Sequence, residues 1–199
     1  MNAVELVALA GSLSLLAGWR VYLCVFAAGL AMRFGWLPLP EHLDQLAAIQ
    51  NPWVIGAAFA GLVLELLADK IAWVDSIWDA VHTAVRPLGG ALLALAIVDP
   101  QDPAWQLVAL LLGGGMALAG HSAKAGARAA VNMSPEPFSN IAVSTGEDVT
   151  TFGLLLAALA SPILAIIVFA FLLIGTILLL VAIVRLRRRA RAMFAPKRE

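Results

Sequence analysis

Read by hydropathy, the chain is a series of apolar runs separated by Pro, Gly and acidic punctuation, and two of the runs are too short to cross a bilayer. These are residues 88–98 and 149–160, and each follows directly on a polar stretch, 65–86 and 121–148. At ~1.5 Å rise per residue, a helix of either length covers a little over half of a ~30 Å hydrocarbon core. The longer runs predict a first helix over 4–34, its pattern broken at Gly18-Trp19-Arg20, and spans over 53–67, 105–120 and 163–184. Leu37-Pro38-Leu39-Pro40-Glu41-His42 reads as a loop leading to a short interfacial helix that ends near Asn51-Pro52. Residues 75–86 predict an amphipathic helix, stopped or kinked by Pro87 and loosened by Gly89-Gly90. Gly113-Gly114-Gly115 sits inside an apolar run and marks a close approach between helices.

Short or interrupted apolar segments at matching places in two halves point to a binding site inside a membrane protein. A weak internal repeat accompanies them here. Pro52-Trp53 and Ala104-Trp105 each open a span; a polar stretch, a proline-bearing break (Pro87; Pro135 and Pro137) and a short apolar segment follow. Two topologies fit this pattern. Either both short segments borrow length from their polar neighbours and span as kinked helices, giving six crossings with both ends of the chain inside, or each is re-entrant, giving four. The second puts Lys124 and Arg128 outside, against the positive-inside bias, so six crossings are expected.

Composition settles the class. With 62% hydrophobic and 13% charged residues and a mean hydropathy of +0.92, the chain cannot supply a soluble protein's polar surface. The expected fold is all-α: a polytopic membrane bundle of about six transmembrane helices, some kinked or broken, forming one domain over 1–184 with a basic tail over 185–199. Thirteen basic and thirteen acidic residues cancel, but seven of the basic ones lie between Arg185 and Arg198. That marks the tail as cytoplasmic and fit to touch anionic lipid. Glu41, Asp44, Asp99 and Asp102 are then outside, with Arg33 near the outer interface. No aromatic interleaving or folded domain goes with the basic cluster, so nucleic acid is not an expected partner. The lone Cys24 excludes a disulfide framework, and an N-terminus without a basic region, carrying Glu5, is expected to stay in the mature protein.

Charge inside apolar runs locates the candidate chemistry. Arg20, near the middle of the first run, needs an anionic partner; Glu65 is the natural one and Asp69, one turn on, the alternative. Asp75, Asp79, His82 and Arg86 share one helical face, and Asp75, Asp79 and His82 could hold a cation. A solvated interfacial face, flanked by Trp73 and Trp78, explains the same spacing. His121, Lys124, Arg128 and Asn132 form a second stripe, basic where the first is acidic, suited to phosphate or carboxylate if the two meet. Two prolines take Ser134-Pro135-Glu136-Pro137-Phe138-Ser139-Asn140 out of regular helix. There Glu136, Ser139 and Asn140 could coordinate a cation or substrate. Ser144 or Thr145 would cap the next helix, with Glu147 and Asp148 in its first turn. No nucleophile elbow, zinc-protease motif or phosphate loop is present.

Gly18-Trp19-Arg20-Val21-Tyr22, the segment Ile71-Ala72-Trp73-Val74-Asp75-Ser76-Ile77-Trp78-Asp79 and the closing apolar helix with its Arg-rich end together resemble the bacterial integral-membrane family of domain of unknown function 4126. The resemblance implies a multi-pass protein of the bacterial inner membrane and no particular substrate. The expected role is a small transporter or channel, acting as a homo-oligomer, that binds an ion or small solute, including an anionic one, toward the cytoplasmic side. The residues name no cofactor beyond a divalent or monovalent cation. The alternatives are a membrane-embedded, metal-dependent enzyme acting on a lipid or isoprenoid phosphate, and a structural or assembly protein.

Overall fold

The computed structural model describes residues 2–36, 48–98, 103–132 and 137–193, and in these there are six helices and no strand. The expected loop at 37–42, Asp99, Asp102, Glu136 and the last six residues lie outside them. α1 spans Ala3–Arg33, α2 Pro52–Ala68, α3 Ala72–Val98, α4 Pro103–Val131, α5 Pro137–Ala160 and α6 Pro162–Met193. Five of the six are long and apolar enough to cross a membrane, and α2 is a shorter apolar helix of 17 residues.

Local chemistry explains where the helices begin. Asn2 and Glu5 form a reciprocal capping box at the start of α1, with both bonds at 2.9 Å. Asn51 caps α2 through the Trp53 amide, and Pro52 takes the first helical position, where a missing N–H costs nothing.

Both short apolar segments are resolved by extension. α3 carries the amphipathic stretch and residues 88–98 in one 27-residue helix that runs through Pro87. α5 carries 137–148 and 149–160 in one helix of 24 residues. Each borrows length from its polar neighbour, as the kinked-span reading expects. One expectation fails here: Phe138, Ser139 and Asn140 are helical, because Pro137 opens α5 instead of breaking it. Ser144 and Thr145 are consequently not caps but mid-helix residues, with Thr145 Oγ1 donating to Ile141 O at 2.8 Å.

Small residues set the closest packing. A Cβ on Gly90 of α3 would lie 2.9 Å from Gly113 O, and one on Gly113 of α4 2.6 Å from Gly90 O, so the two backbones touch. Gly113→Leu is expected to force α3 and α4 apart and cost about 1–3 kcal/mol. Gly115→Ala, which points into open space, is expected to be neutral or slightly stabilising. Unfolding midpoints in detergent separate the two outcomes.

The topology turns on Arg20, whose backbone (φ −145°, ψ 75°) interrupts α1. Before it, α1 runs in the same direction as α4. Ala3, Leu6 and Ala10 share an apolar cavity with Trp105, Ala109 and Leu112, Ser14 Oγ donates to Gly90 O at 3.0 Å, and Gly18 abuts Ala117 and His121. After it, α1 runs opposite to α2. Tyr22 lies on Gly61, Phe26 meets Phe59 with ring centroids 5.4 Å apart, and Gly29 lies against Ile55. α2 and α4 finish at the same end of the bundle, since Asp69, just past α2, is held by Lys124 and Arg128 near the end of α4. The two halves of α1 are therefore antiparallel. α1 enters the bundle, breaks at Arg20 and returns.

α6 runs the same way as α4: Ser12 Oγ donates to Ala165 O near the start of α6, and Gly126 abuts Ile183 near its end. α1 thus starts at one end of the bundle and α6 finishes at the other. This corrects the expectation of six crossings with both ends on one side: α2 to α6 run from end to end, and α1 is the re-entrant element. α6 stays helical through Arg185–Arg191. Large apolar side chains on the outer helices, among them Phe59, Leu92, Leu111, Phe171 and Leu178, are exposed, as a lipid-facing surface requires.

Candidate functional site

Where the returning tip of α1 meets the polar halves of α2, α3, α4 and α5, charged side chains are packed out of solvent. Arg20, Arg86, Lys124 and Arg128 are 0–2% exposed, and Glu65, Asp69 and Asp75 are 0–1% exposed. A charge placed at such depth must be paired or hydrogen-bonded. Arg20 binds Asp69 at 2.5 Å and also pairs with Asp148 of α5. Lys124 reaches Asp69 at 3.0 Å and the Trp19 carbonyl at 3.3 Å. That carbonyl lies at the break in α1. Arg128 donates to Asp75 at 3.2 Å, to Asp69 O at 2.6 Å and to Asn140 O at 3.2 Å. Asn132 Nδ2 donates to Asp75 at 2.7 Å, and Asn140 Nδ2 to Asp69 O at 3.2 Å.

Arg86 is the second hub. It donates to Glu65 at 2.9 Å, to Asp79 at 2.8 Å and to His121 Nδ1 at 2.5 Å. The natural partner expected for Arg20 is therefore engaged elsewhere, and the alternative, Asp69, takes its place. Glu65 sits a turn earlier on α2 and faces α3; Asp69, at the end of α2, faces the α1 tip.

The acidic and basic stripes do meet, along the α3–α4 contact, and they are buried instead of interfacial. Arg20, Glu65, Asp69, His121, Lys124, Arg128, Asn132, Asn140, Glu147 and Asp148 share one layer, with Glu147 at 3.9–4.0 Å from Arg20 and Lys124. Ser139 is half-buried near the start of α5, and Glu136 is outside the described residues. The three metal candidates are not brought together. Asp75 faces Arg128, Asp79 faces Arg86, and His82 stacks on Trp78 at 4.3 Å. Among the described residues no three His, Cys, Asp or Glu side chains converge to hold a metal ion.

The sequence places Arg86 on the acidic stripe without a binding role, and gives Lys70 and Tyr22 no role in the site. Lys70 Nζ donates to Ser144 at 2.7 Å and Asp148 at 3.1 Å, and Tyr22 O–H reaches His82 at 3.0 Å. Joining 75–86 to 88–98 across Pro87, as the six-crossing topology does, puts Arg86 mid-span, the position that singles out Arg20.

Two cavities flank the layer. One, about 650 Å³, has apolar walls (Phe26, Leu30, Trp36, Leu62, Phe152, Leu156) and ends on Arg20 and Asp148. The other, about 250 Å³, is lined by Asp75, Asp79, Thr83, His121, Arg128 and Asn132 between α3 and α4. Among the described residues the ion pairs join five cationic and six acidic side chains, an excess of one negative charge. Stability does not require such an arrangement, because well-packed apolar residues in place of a buried ion pair are often as stable or more so.

A family model described as a domain of unknown function (DUF4126) matches residues 7–182. No curated protein and no solved structure matches the chain.

Proposed function

This chain belongs to the DUF4126 family, and we propose that it is a small membrane transporter or channel-like protein that binds an ion or small solute in the buried polar layer. The observation that carries this reading is the Arg20–Asp69–Asp148 cluster at the tip of a re-entrant helix, with a cavity on each side of the layer. Broken helices whose freed backbone and charges meet at depth suit binding and release from either side. The excess of one acid favours a cation over an anion. One bound monovalent cation offsets that excess.

The layer lies at the end where α6 passes Arg185–Arg191, so the positive-inside bias supports a site in the cytoplasmic half of a bacterial inner membrane. The start of α1 then lies on the far side. The small size and the exposed apolar faces favour a homo-oligomer.

Reconstituted protein is expected to pass H⁺, Na⁺ or K⁺ into vesicles in a dye-based assay. Asp148→Asn, at the floor of the larger cavity, is expected to lower that flux by about tenfold, the loss of a partly buried charge contact of ~1.4 kcal/mol. Undiminished flux in both Asp148→Asn and Glu65→Gln would remove the layer from the mechanism.

A further inference from the structure

Two histidines lie in the polar layer, and their hydrogen bonds place the proton on opposite nitrogens. His82 Nδ1 lies 2.8 Å from the Trp78 carbonyl, which only accepts, so Nδ1 carries the proton and Nε2 accepts from the Tyr22 hydroxyl at 3.0 Å. His121 is the reverse. Its Nδ1 faces Arg86 Nη1 at 2.5 Å, and a guanidinium only donates, so Nδ1 is bare. Nε2 of His121 then donates to Thr83 Oγ1 at 3.0 Å, whose own proton goes to Asp79 O at 2.9 Å. Each donor and acceptor in this chain has a single assignment.

Arg86 Nη1 is shared, because it also donates to Asp79 Oδ1 at 2.8 Å. A proton added to His121 Nδ1 would set N–H against N–H and an imidazolium against a guanidinium. That contact cannot persist. The acceptor at hand for the new N–H is the Asp79 carboxylate that Arg86 now occupies. We infer that His121 is a proton-binding site: protonated at Nδ1, it takes over Asp79 and leaves Arg86 to Glu65 alone, so that proton uptake opens the layer.

The groups around His121 are consistent with this exchange. α3 presents Asp79, Thr83 and Arg86, and α2 presents Glu65 through Arg86. α4 adds Lys124 and Arg128, and α1 presents backbone at Gly18. The proton comes from water in the 250 Å³ cavity, which His121, Asp79 and Asp75 line. One N–H bond forms at Nδ1, one O–H bond of a hydronium breaks, and no other covalent bond changes. The inference rests on the transport reading for its consequence, but the proton site itself can be observed without transport.

The test uses ¹⁵N NMR of the histidine rings in the detergent-solubilised full chain, beside dye-read proton influx in vesicles. Near pH 8, His121 is expected as the Nε2–H tautomer and His82 as the Nδ1–H tautomer. Acidification to about pH 4 is expected to convert His121 progressively into imidazolium and to raise wild-type influx about tenfold, the scale of a one-proton switch. His121→Asn keeps an acceptor near the Nδ1 position and cannot be protonated, so its influx is expected to change less than about twofold over the same range. An Nδ1–H tautomer at His121, a ring still fully neutral at about pH 4, or a full acid response in His121→Asn overturns the inference. Absence of influx in every protein with the tautomers as expected would instead overturn the transport reading and leave the proton site standing.

Discussion

Arg86→Met is expected to be the most destabilising single substitution in the polar layer, at about 3–5 kcal/mol, because it leaves buried carboxylates with no counter-charge. Arg86 is 0% exposed, and so is Glu65, whose Oε1 it holds at 2.9 Å. Asp79 and the His121 ring lose the same donor. Methionine fills a similar volume, so the loss reports charge and not a cavity. The sign of a second substitution separates these: Glu65→Gln in the Arg86→Met background removes the stranded charge and is expected to restore much of the stability. A double-mutant cycle read by denaturant unfolding in detergent measures the coupling. Lys70, which is about a third exposed at its side chain, serves as the contrast. Lys70→Met is expected to cost less than about 1 kcal/mol, since a solvent-screened pair contributes little.

Gly18→Leu is expected to have the second-largest effect, about 3 kcal/mol, through overpacking at the tip of α1. A Cβ at position 18 would run into the Ala117 carbonyl and stand 2.8 Å from the His121 amide nitrogen. Both obstacles are helix backbone, which cannot swing aside as a side-chain end can. The tip must therefore withdraw, and it takes Arg20 away from Asp69 and the Trp19 carbonyl away from Lys124. Gly18→Ala is expected to act in the same direction with a smaller loss. Unfolding midpoints and ion flux are expected to fall together in both variants.

Much of the fold was legible in the sequence, and the reasons are physical. Apolar runs report burial in lipid directly, so helix positions in α1, α2, α4 and α6 agree with the structure to within a few residues at most starts. The polar stretches misled because they were read as interfacial. Hydropathy averages cannot tell a charge facing water from one facing a buried partner, and the α3–α4 stripes are of the second kind. Pro137 was read as a breaker when its position makes it a helix start. Gly18-Trp19-Arg20 was rightly seen as a break in α1, but a break in pattern carries no angle. The contacts of Ala3 to Gly18 with α4 and of Tyr22 to Gly29 with α2 show that the helix turns back.

The candidate site was legible as a set of residues and not as a set of pairs. Ten of the expected binding residues share the layer because each is a charged, amide or imidazole side chain lodged in or beside an apolar run. Who binds whom depends on helix rotation, which moved Asp69 to Arg20 and Glu65 to Arg86. The helical spacing of Asp75, Asp79 and His82 placed them on one face, yet Asp75 pairs with Arg128 of α4, Asp79 with Arg86 two turns along α3, and His82 with the Trp78 carbonyl one turn back.

The central claim is that α1 turns back at Arg20, so that Ala3 lies at one end of the bundle and α6 finishes at the other. Single cysteines at Ala3 and at Arg187 in a Cys24→Ala background, probed with an impermeant thiol reagent on sealed, oriented vesicles, test it most directly. The account predicts labelling of Ala3→Cys and Arg187→Cys from opposite sides. Labelling of both from the same side would contradict it.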